Sequence, residues 1–421
     1  MRALLRRGAA FGLLLAAAGA AAQDFPVTAP GRAQSAPQPI DFVRPEVDPA
    51  EMGPPRVPPL HVLDRFVLPG TRVRLEWQAS QGLAGEAAAP VVIVHGAEPG
   101  PVLCLVAGVH GDEINGIEIV RRAVYGLQPE TLAGSVIAVP IVNVFGYSRG
   151  SRYLPDRRDL NRFFPGSRYG SIASRVAFNF FENIVRNCDA LVDFHTGSFD
   201  RSNLPQLRAD LTRPDVLEFT RGFGATQVLH SPGSRGMLRV AANAIGIPAV
   251  TFEVGAPLRL EKHEIDAGLD GLRHLMQRLG MTPADPEAET GEAAAEQPVF
   301  YASQWVRSDI GGLLISDVEL GQRVQRGQVL GRTFDPILNR EREIVAPIHG
   351  RVLGMALNQQ VLPGYAVYHL GEETSEERAV EEAAIGEGEA VPEDGEGGPR
   401  PLRRVAAENG EDAAEDELEY E

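Results

Sequence analysis

The chain has 421 residues, 43% of them hydrophobic, and a formal charge of −17 at pH 7. That length allows two domains and a large core, and the acidic balance offers no basic stripe for nucleic acid, so no nucleic-acid partner is expected. The charge is mostly local, because 19 acids stand against four arginines between Glu372 and Glu421 while the body is only mildly acidic.

Residues 1–22 read as an export signal. Arg2, Arg6 and Arg7 give a basic start, Phe11 and Leu13–Leu15 an apolar stretch, and Ala20–Ala22 a small-residue cleavage site. The apolar stretch is too short and Ala-rich for a membrane span, an uncleaved anchor being the alternative. The mature chain is therefore expected in the periplasm or secreted, with no span of its own. Residues 23–59, rich in Pro, Ala and Gln, read as an extended linker.

From residue 60 onward strands alternate with helices. Strands are expected at Arg72–Trp77, Val91–His95 and Val102–Val109, followed by a helix over Glu113–Leu127 and a strand over Val136–Val144. A long polar loop, Phe145–Gly170, leads to a helix capped by Ser171 that runs to about Asn187. Strand Ala190–Phe194, helix Arg235–Ile245, strand Ala249–Phe252 and helix Leu260–Leu279 complete the pattern. This alternation predicts an α/β domain over residues 60–280. Cys104 and Cys188 are too few for a disulfide framework and read as small buried hydrophobes, although an oxidising compartment leaves a bridge open.

A Pro/Ala/Glu stretch, 281–297, marks a linker, and beyond it the period becomes strand-like. Over residues 298–371 the Gly-punctuated segments Val318–Gly331 and Ile344–Leu353 resemble the biotinyl/lipoyl-type hairpin fold. Members of that family carry a cofactor on a hairpin lysine, but the single lysine of this chain is Lys262. The resemblance is therefore to a small β-rich domain with a structural or access-shaping role. Residues 372–421 lack the apolar content to fold and are expected to be disordered.

The chemistry gathers at strand ends. Val102–Val109 runs directly into His110, Gly111, Asp112 and Glu113, Ala190–Phe194 runs into His195, and Ala249–Phe252 runs into Glu253. Open α/β sheets bind ligands at such ends, and titratable groups closing apolar strands are costly unless paired or holding a metal. Two imidazoles and one carboxylate are the ligand set of catalytic zinc, with the fourth position left for water. Water bound there becomes a nucleophile at neutral pH. Glu253 is then surplus to ligation and has the character of a general base. The 145–170 loop supplies Arg152, Arg157 and Arg158 before Asp159–Leu160–Asn161–Arg162. Arginines suit a substrate carboxylate and a developing oxyanion.

These motifs resemble the succinylglutamate desuccinylase/aspartoacylase family, a branch of the zinc carboxypeptidase-like fold, over roughly residues 90–275. The resemblance rests on His110–Gly111–Asp112–Glu113, Arg152 with Asp159–Leu160–Asn161–Arg162, Asp193–Phe194–His195–Thr196–Gly197 and Glu253–Val254–Gly255. It implies a mixed sheet flanked by helices, one zinc per chain on His110, Glu113 and His195, and Glu253 as base and proton shuttle. It further implies Asn161 and Arg162 on a substrate carboxylate and Arg152 polarising the scissile carbonyl. Extra residues between Arg152 and Asn161 make Arg157 the alternative for that last role. The expected activity is an exported zinc-dependent deacylase cleaving an amide in a small, anionic, N-acyl amino acid-like substrate. A zinc carboxypeptidase acting on peptides or cell-wall stems, and a non-catalytic binding module, are the alternatives.

Other readings compete at single positions. Arg162 can be a surface partner of Asp159, and Asp193 either orients His195 or is a buried structural carboxylate. Gly146–Tyr147–Ser148–Arg149–Gly150 matches the nucleophile-elbow pattern, but no helical stripe follows it, as that motif requires. His95, His230, His263 and His274 read as structural. The residues that choose the acyl group fall within Ser198–Arg208 and Ser231–Arg239, where Arg201, Arg208 and Arg235 are the cations available. Oligomeric state is not encoded in any of these patterns.

Overall fold

The computed structural model describes residues 57–80, 87–283 and 298–385. The expected export signal, residues 23–56 of the first linker, residues 284–297 of the second and the tail beyond Ile385 lie outside the described residues.

Strands β1 (Leu60–Val62) and β2 (Arg65–Val67) form a hairpin. β3 (Thr71–Ser80) and β4 (Ala87–His95) pair antiparallel at one end of a 12-stranded sheet. Further in, β5 (Glu98–Ala107) runs parallel to both of its neighbours, β6 (Ala133–Val139) and β7 (Ala190–His195). Next come β8 (Arg201–Ala209), β9 (Gln227–His230) and β10 (Ala249–Gly255), with β10 parallel to β7 and antiparallel to β8. β6 stops at Val139, short of the expected Val144, because Pro140 has no N–H to continue the ladder.

The helices are α1 (Asn115–Gly126), α2 (Val144–Tyr147), α3 (Ile172–Asn183), α4 (Pro214–Thr220), α5 (Leu238–Ala244) and α6 (Lys262–Arg278). Alternation along β5 sorts its side chains between two layers. Leu103, Leu105 and Ala107 share a core with Ile119 and Val120 of α1 and Leu272 and Leu275 of α6. Cys104 and Val106 share the other core with Phe180 of α3 and Leu238 of α5. Every residue of β7 and β10 is buried, as for strands covered on both faces. Cys104 and Cys188 are both buried and form a disulfide, which ties β5 to the start of β7.

The chain after the second linker joins the same sheet. Its strands are β11 (Val299–Arg307), β12 (Gly312–Ser316), β13 (Arg323–Val324), β14 (Val329–Asp335), β15 (Arg340–Val345), β16 (Gly350–Ala356), β17 (Gln360–Val361) and β18 (Ala366–Thr374). β11 pairs in parallel with β9 and antiparallel with β18. β16 pairs with β18 and also with β8. β15, β14, β12 and β17 form a separate four-stranded sheet over a core that includes Leu314, Leu330, Val352 and Tyr368. The expectation of disorder from residue 372 is corrected: β18 continues to Thr374, and α7 (Glu376–Ile385) buries Ala379 and Ala383 in the α1/α6 core. Two small apolar side chains on one helical face supply the anchorage that composition alone conceals. No helix among the described residues is long and apolar enough to cross a membrane.

Candidate metal centre

The turn after β5 places the first two functional side chains. Gly108 has φ +63°, a conformation glycine adopts without strain. Gly111 lies so close to the Gly146–Tyr147 backbone that a Cβ there would fall 2.0 Å from it. Within this turn the Glu113 N–H donates to the His110 carbonyl (3.3 Å), which draws imidazole and carboxylate together. His195 closes β7, and the next N–H, of Thr196, donates to Glu113 Oε2 (3.2 Å).

His110, Glu113 and His195 converge, and all three are buried. His110 Nδ1 lies 2.8 Å from Glu113 Oε1, and His195 Nδ1 lies 2.7 Å from Glu113 Oε2. The two Nδ1 atoms are 3.1 Å apart. The outer nitrogen of each ring is also engaged: His110 Nε2 with Asp159 Oδ1 at 3.0 Å, and His195 Nε2 with Asp193 Oδ2 at 2.9 Å. Carboxylates in that position fix tautomer and ring orientation, leaving Nδ1 to face a metal. The donor set therefore fits a divalent ion, with the three ligand atoms within 4.8 Å of one another.

The electrostatics point the same way. Burial and the Arg152 charge oppose protonation of His110, yet Glu113 and Asp159 raise its pKa above the usual imidazole value. Burial likewise opposes a charge on His195, but Asp193 and Glu113 raise its pKa well above that value. Glu113 loses solvation on burial, and the two imidazoles nonetheless hold it far below the usual carboxylate range. Three carboxylates around two rings create a field that favours positive charge between them.

One polar cavity is lined by His110, His195, Arg152, Asn161, Arg162 and Glu253, so the sequence-identified side chains there share a single space. Arg152 is buried and spans the site. Its Nη1 lies 3.1 Å from Glu113 Oε1 and donates to Ser198 Oγ (2.7 Å), and its Nη2 donates to Asp159 Oδ2 (2.8 Å). Arg157 is exposed with φ +61° and lies outside the lining, so of the two arginines the structure brings Arg152 to the centre. Asn161 Oδ1 accepts the Leu238 N–H (2.8 Å), joining the loop to the start of α5. Arg162 is half-buried, 4.0 Å from Asp159 Oδ2. Glu253 accepts from Asn203 Nδ2 (3.1 Å) and lies 3.6 Å from Arg208 Nε.

Asp159 and Asn203 carry no warning in the sequence of their partners. Asp159 caps the 3-10 turn Leu160–Arg162 through the Asn161 N–H, a local role that hides its contact with His110. Arg235 is exposed, and Ser148 is exposed with its hydroxyl on the Phe145 carbonyl, so neither joins the cavity lining.

Residues 99–279 match the succinylglutamate desuccinylase/aspartoacylase catalytic domain. The chain is 28% identical over 275 residues to the N-alpha-acetyl-L-2,4-diaminobutyric acid deacetylase of Halomonas elongata, covering 62% of this chain and 77% of that protein. The fold is similar to a succinylglutamate desuccinylase/aspartoacylase from Rhodobacter sphaeroides (TM-score 0.64, 23% identity, 72% of this chain and 96% of that one). It is similar to the product-bound ectoine utilization protein EutE (DoeB) from Ruegeria pomeroyi to the same degree (TM-score 0.64, 23% identity, 76% and 99%). Over residues 99–279 the chain thus matches the succinylglutamate desuccinylase/aspartoacylase catalytic domain, and its fold is similar to that of these solved structures.

Proposed function

We propose that the protein is an exported, zinc-dependent deacylase that hydrolyses the amide of a small N-acyl amino acid. The observation that carries this reading is the convergence of His110, Glu113 and His195 in a cavity that also holds Glu253 and the Arg152, Asn161 and Arg162 side chains. The Halomonas relative, a deacetylase of an N-acetyl amino acid, supports the substrate class.

His110, Glu113 and His195 would hold one zinc ion per chain. The chemistry such an ion supplies is Lewis acidity and the acidification of a water. Glu253 takes the proton of the attacking water on its carboxylate and returns it to the departing amine nitrogen. Asn203 and Arg208 orient that carboxylate from behind. Arg152, held by Asp159 and Ser198, presents its guanidinium to the oxyanion that develops on the carbonyl. Arg162 and the Asn161 side chain grip the substrate carboxylate, for which a planar guanidinium is well shaped.

Export is supported by the character of residues 1–22 and by the Cys104–Cys188 bridge, since disulfides persist in oxidising compartments. The β-rich region, which lacks lysine, serves in this reading as a biotinyl/lipoyl-type scaffold that shapes access rather than as a carrier. The direct test is a hydrolysis panel of N-acetyl and N-succinyl amino acids set beside dipeptides and stem peptides. Turnover of acyl amino acids alone is expected. Preferential release of C-terminal residues from peptides would replace this reading with a carboxypeptidase, and stoichiometric binding without turnover would replace it with a binding module.

A further inference from the structure

Arg201 is 3% exposed, and its guanidinium lies over three aromatic rings. The ring centroids of Tyr365, Trp305 and Phe199 are 5.0, 5.4 and 6.0 Å from its Cζ, within cation–π range. Its Nε donates to the Ser198 carbonyl (3.0 Å), and its Nη1 reaches the Ala366 carbonyl at 3.5 Å. Trp305 and Tyr365 belong to the C-terminal β-rich region, whereas Ser198 and Phe199 follow the metal-facing His195.

The turn gripped in this way is unusual. Phe199 and Asp200 have φ +54° and +56°, which side-chain-bearing residues rarely adopt and which persists only where the surroundings over-determine it. The surroundings here are C-terminal. Tyr365 Oη donates to the Phe199 carbonyl, and the Leu357 N–H (2.9 Å) and Gln359 Nε2 (3.2 Å) donate to the Asp200 carbonyl. The far side of the same turn touches the catalytic arginine: Ser198 Oγ accepts from Arg152 Nη1 at 2.7 Å, and the Arg152 Cζ lies 5.3 Å from the Phe199 ring centroid.

We propose that Arg201 is a positioning residue: boxed by Phe199, Trp305 and Tyr365, it locks the Ser198–Asp200 turn and through it sets the guanidinium of Arg152. The C-terminal region then fixes an element of the reaction centre rather than merely covering it. This rests on the reading of Arg152 as the group that polarises the scissile carbonyl. Lysine cannot substitute, because a point charge cannot lie flat among the rings while also donating to the Ser198 and Ala366 carbonyls.

The experiment combines kinetics with crystallography. On the best N-acetyl amino acid of the panel, Arg201→Gln and Arg201→Lys are expected to lower kcat by roughly ten- to a hundredfold, the scale of a slightly misplaced catalytic group. KM and zinc content should stay near wild type. On an Arg152→Ala background the same substitutions should add nothing, because they act through Arg152. Tyr365→Phe removes only the hydroxyl on the Phe199 carbonyl; it should lower kcat a few-fold, again only when Arg152 is present, and it carries the test if the Arg201 variants do not fold. A crystal structure of Arg201→Gln, or of Tyr365→Phe in that case, should show Arg152 withdrawn from Ser198. The proposal is overturned if the losses multiply on the Arg152→Ala background or if the Arg152–Ser198 contact survives intact. Failure of the wild-type protein to hydrolyse any acyl amino acid would sink the deacylase reading instead, and the crystallographic result would still decide the positioning claim.

Discussion

Glu253 and His195 stand level with each other on adjacent parallel strands, the last pair in the β10–β7 register. Partners at one level of a sheet project to the same face, so the base candidate and a metal-ligand candidate reach the same cavity without any loop to place them. Glu253→Gln keeps the shape and removes the proton acceptor. It should retain its metal and lose turnover by about a hundredfold or more, as for loss of a general base. Parallel kcat and metal measurements check this; a variant with near-normal kcat would remove Glu253 from the chemistry.

Asp193 is fully buried, with Oδ2 on the outer nitrogen of His195. Asp193→Asn should weaken zinc affinity roughly 10–100-fold, the usual effect of removing a partner that orients a ligand. Competition against a chromogenic chelator measures it. An unchanged affinity would mark Asp193 as a structural carboxylate only.

Gly354 lies opposite Asn203 in the β16–β8 pairing, where a Cβ would come within 2.4 Å of Asn203 Oδ1. Gly354→Ala should therefore push the Asn203 amide off Glu253 while leaving the strands paired. The expected result is a kcat loss of about tenfold for a misoriented base, with KM little changed. Asn203→Ala should reproduce it, and the double variant should be no worse than either single one.

His369 is buried and stacked on Trp305, their ring centroids 4.4 Å apart and the rings nearly parallel. Burial, then the charges of Arg208 and Arg201, push its pKa well below the usual 6.5. The unfolded chain therefore binds a proton that the folded chain refuses, so this contribution to stability is present above about pH 6.5 and is lost as pH falls toward the folded value. His369→Phe keeps the stacking surface without titrating. Urea titrations between roughly pH 7 and 5 should show a flatter decline for this variant than for wild type; equal slopes would contradict the assignment.

The Cys104–Cys188 bridge closes a segment with a sequence separation of 84. Bridges of this kind typically contribute about 2–4 kcal/mol of stabilisation, chiefly through the unfolded state. Cys104→Ala/Cys188→Ala should lose that much in urea unfolding yet keep its specific activity at 25 °C, because neither sulfur lines the cavity.

Largely apolar strands that run into His or Glu are legible in the sequence because the signal is local: the β5, β7 and β10 termini each announce themselves within a few residues. What could not be read depended on which strands become neighbours. The bridge requires β5 and β7 to be adjacent, and the Asn203–Glu253 contact requires β8 to return antiparallel beside β10. Asp159 looks like a turn cap until the long loop folds back over His110. Arg152 and Arg157 differ in burial rather than in spacing, so the spacing of the motif left both open. The helix α7 was hidden because only a few small apolar side chains of its acidic sequence, Ala379 and Ala383 with Val380 beside them, reach the core.

The central claim is that His110, Glu113 and His195 together hold a catalytic metal ion. Elemental analysis of the purified protein, wild type beside His110→Ala/His195→Ala, tests it most directly. The wild type should carry close to one zinc per chain and the double variant almost none, while remaining folded by circular dichroism. Full hydrolytic activity in a metal-free wild-type preparation, or an equal zinc content in the two proteins, would contradict it.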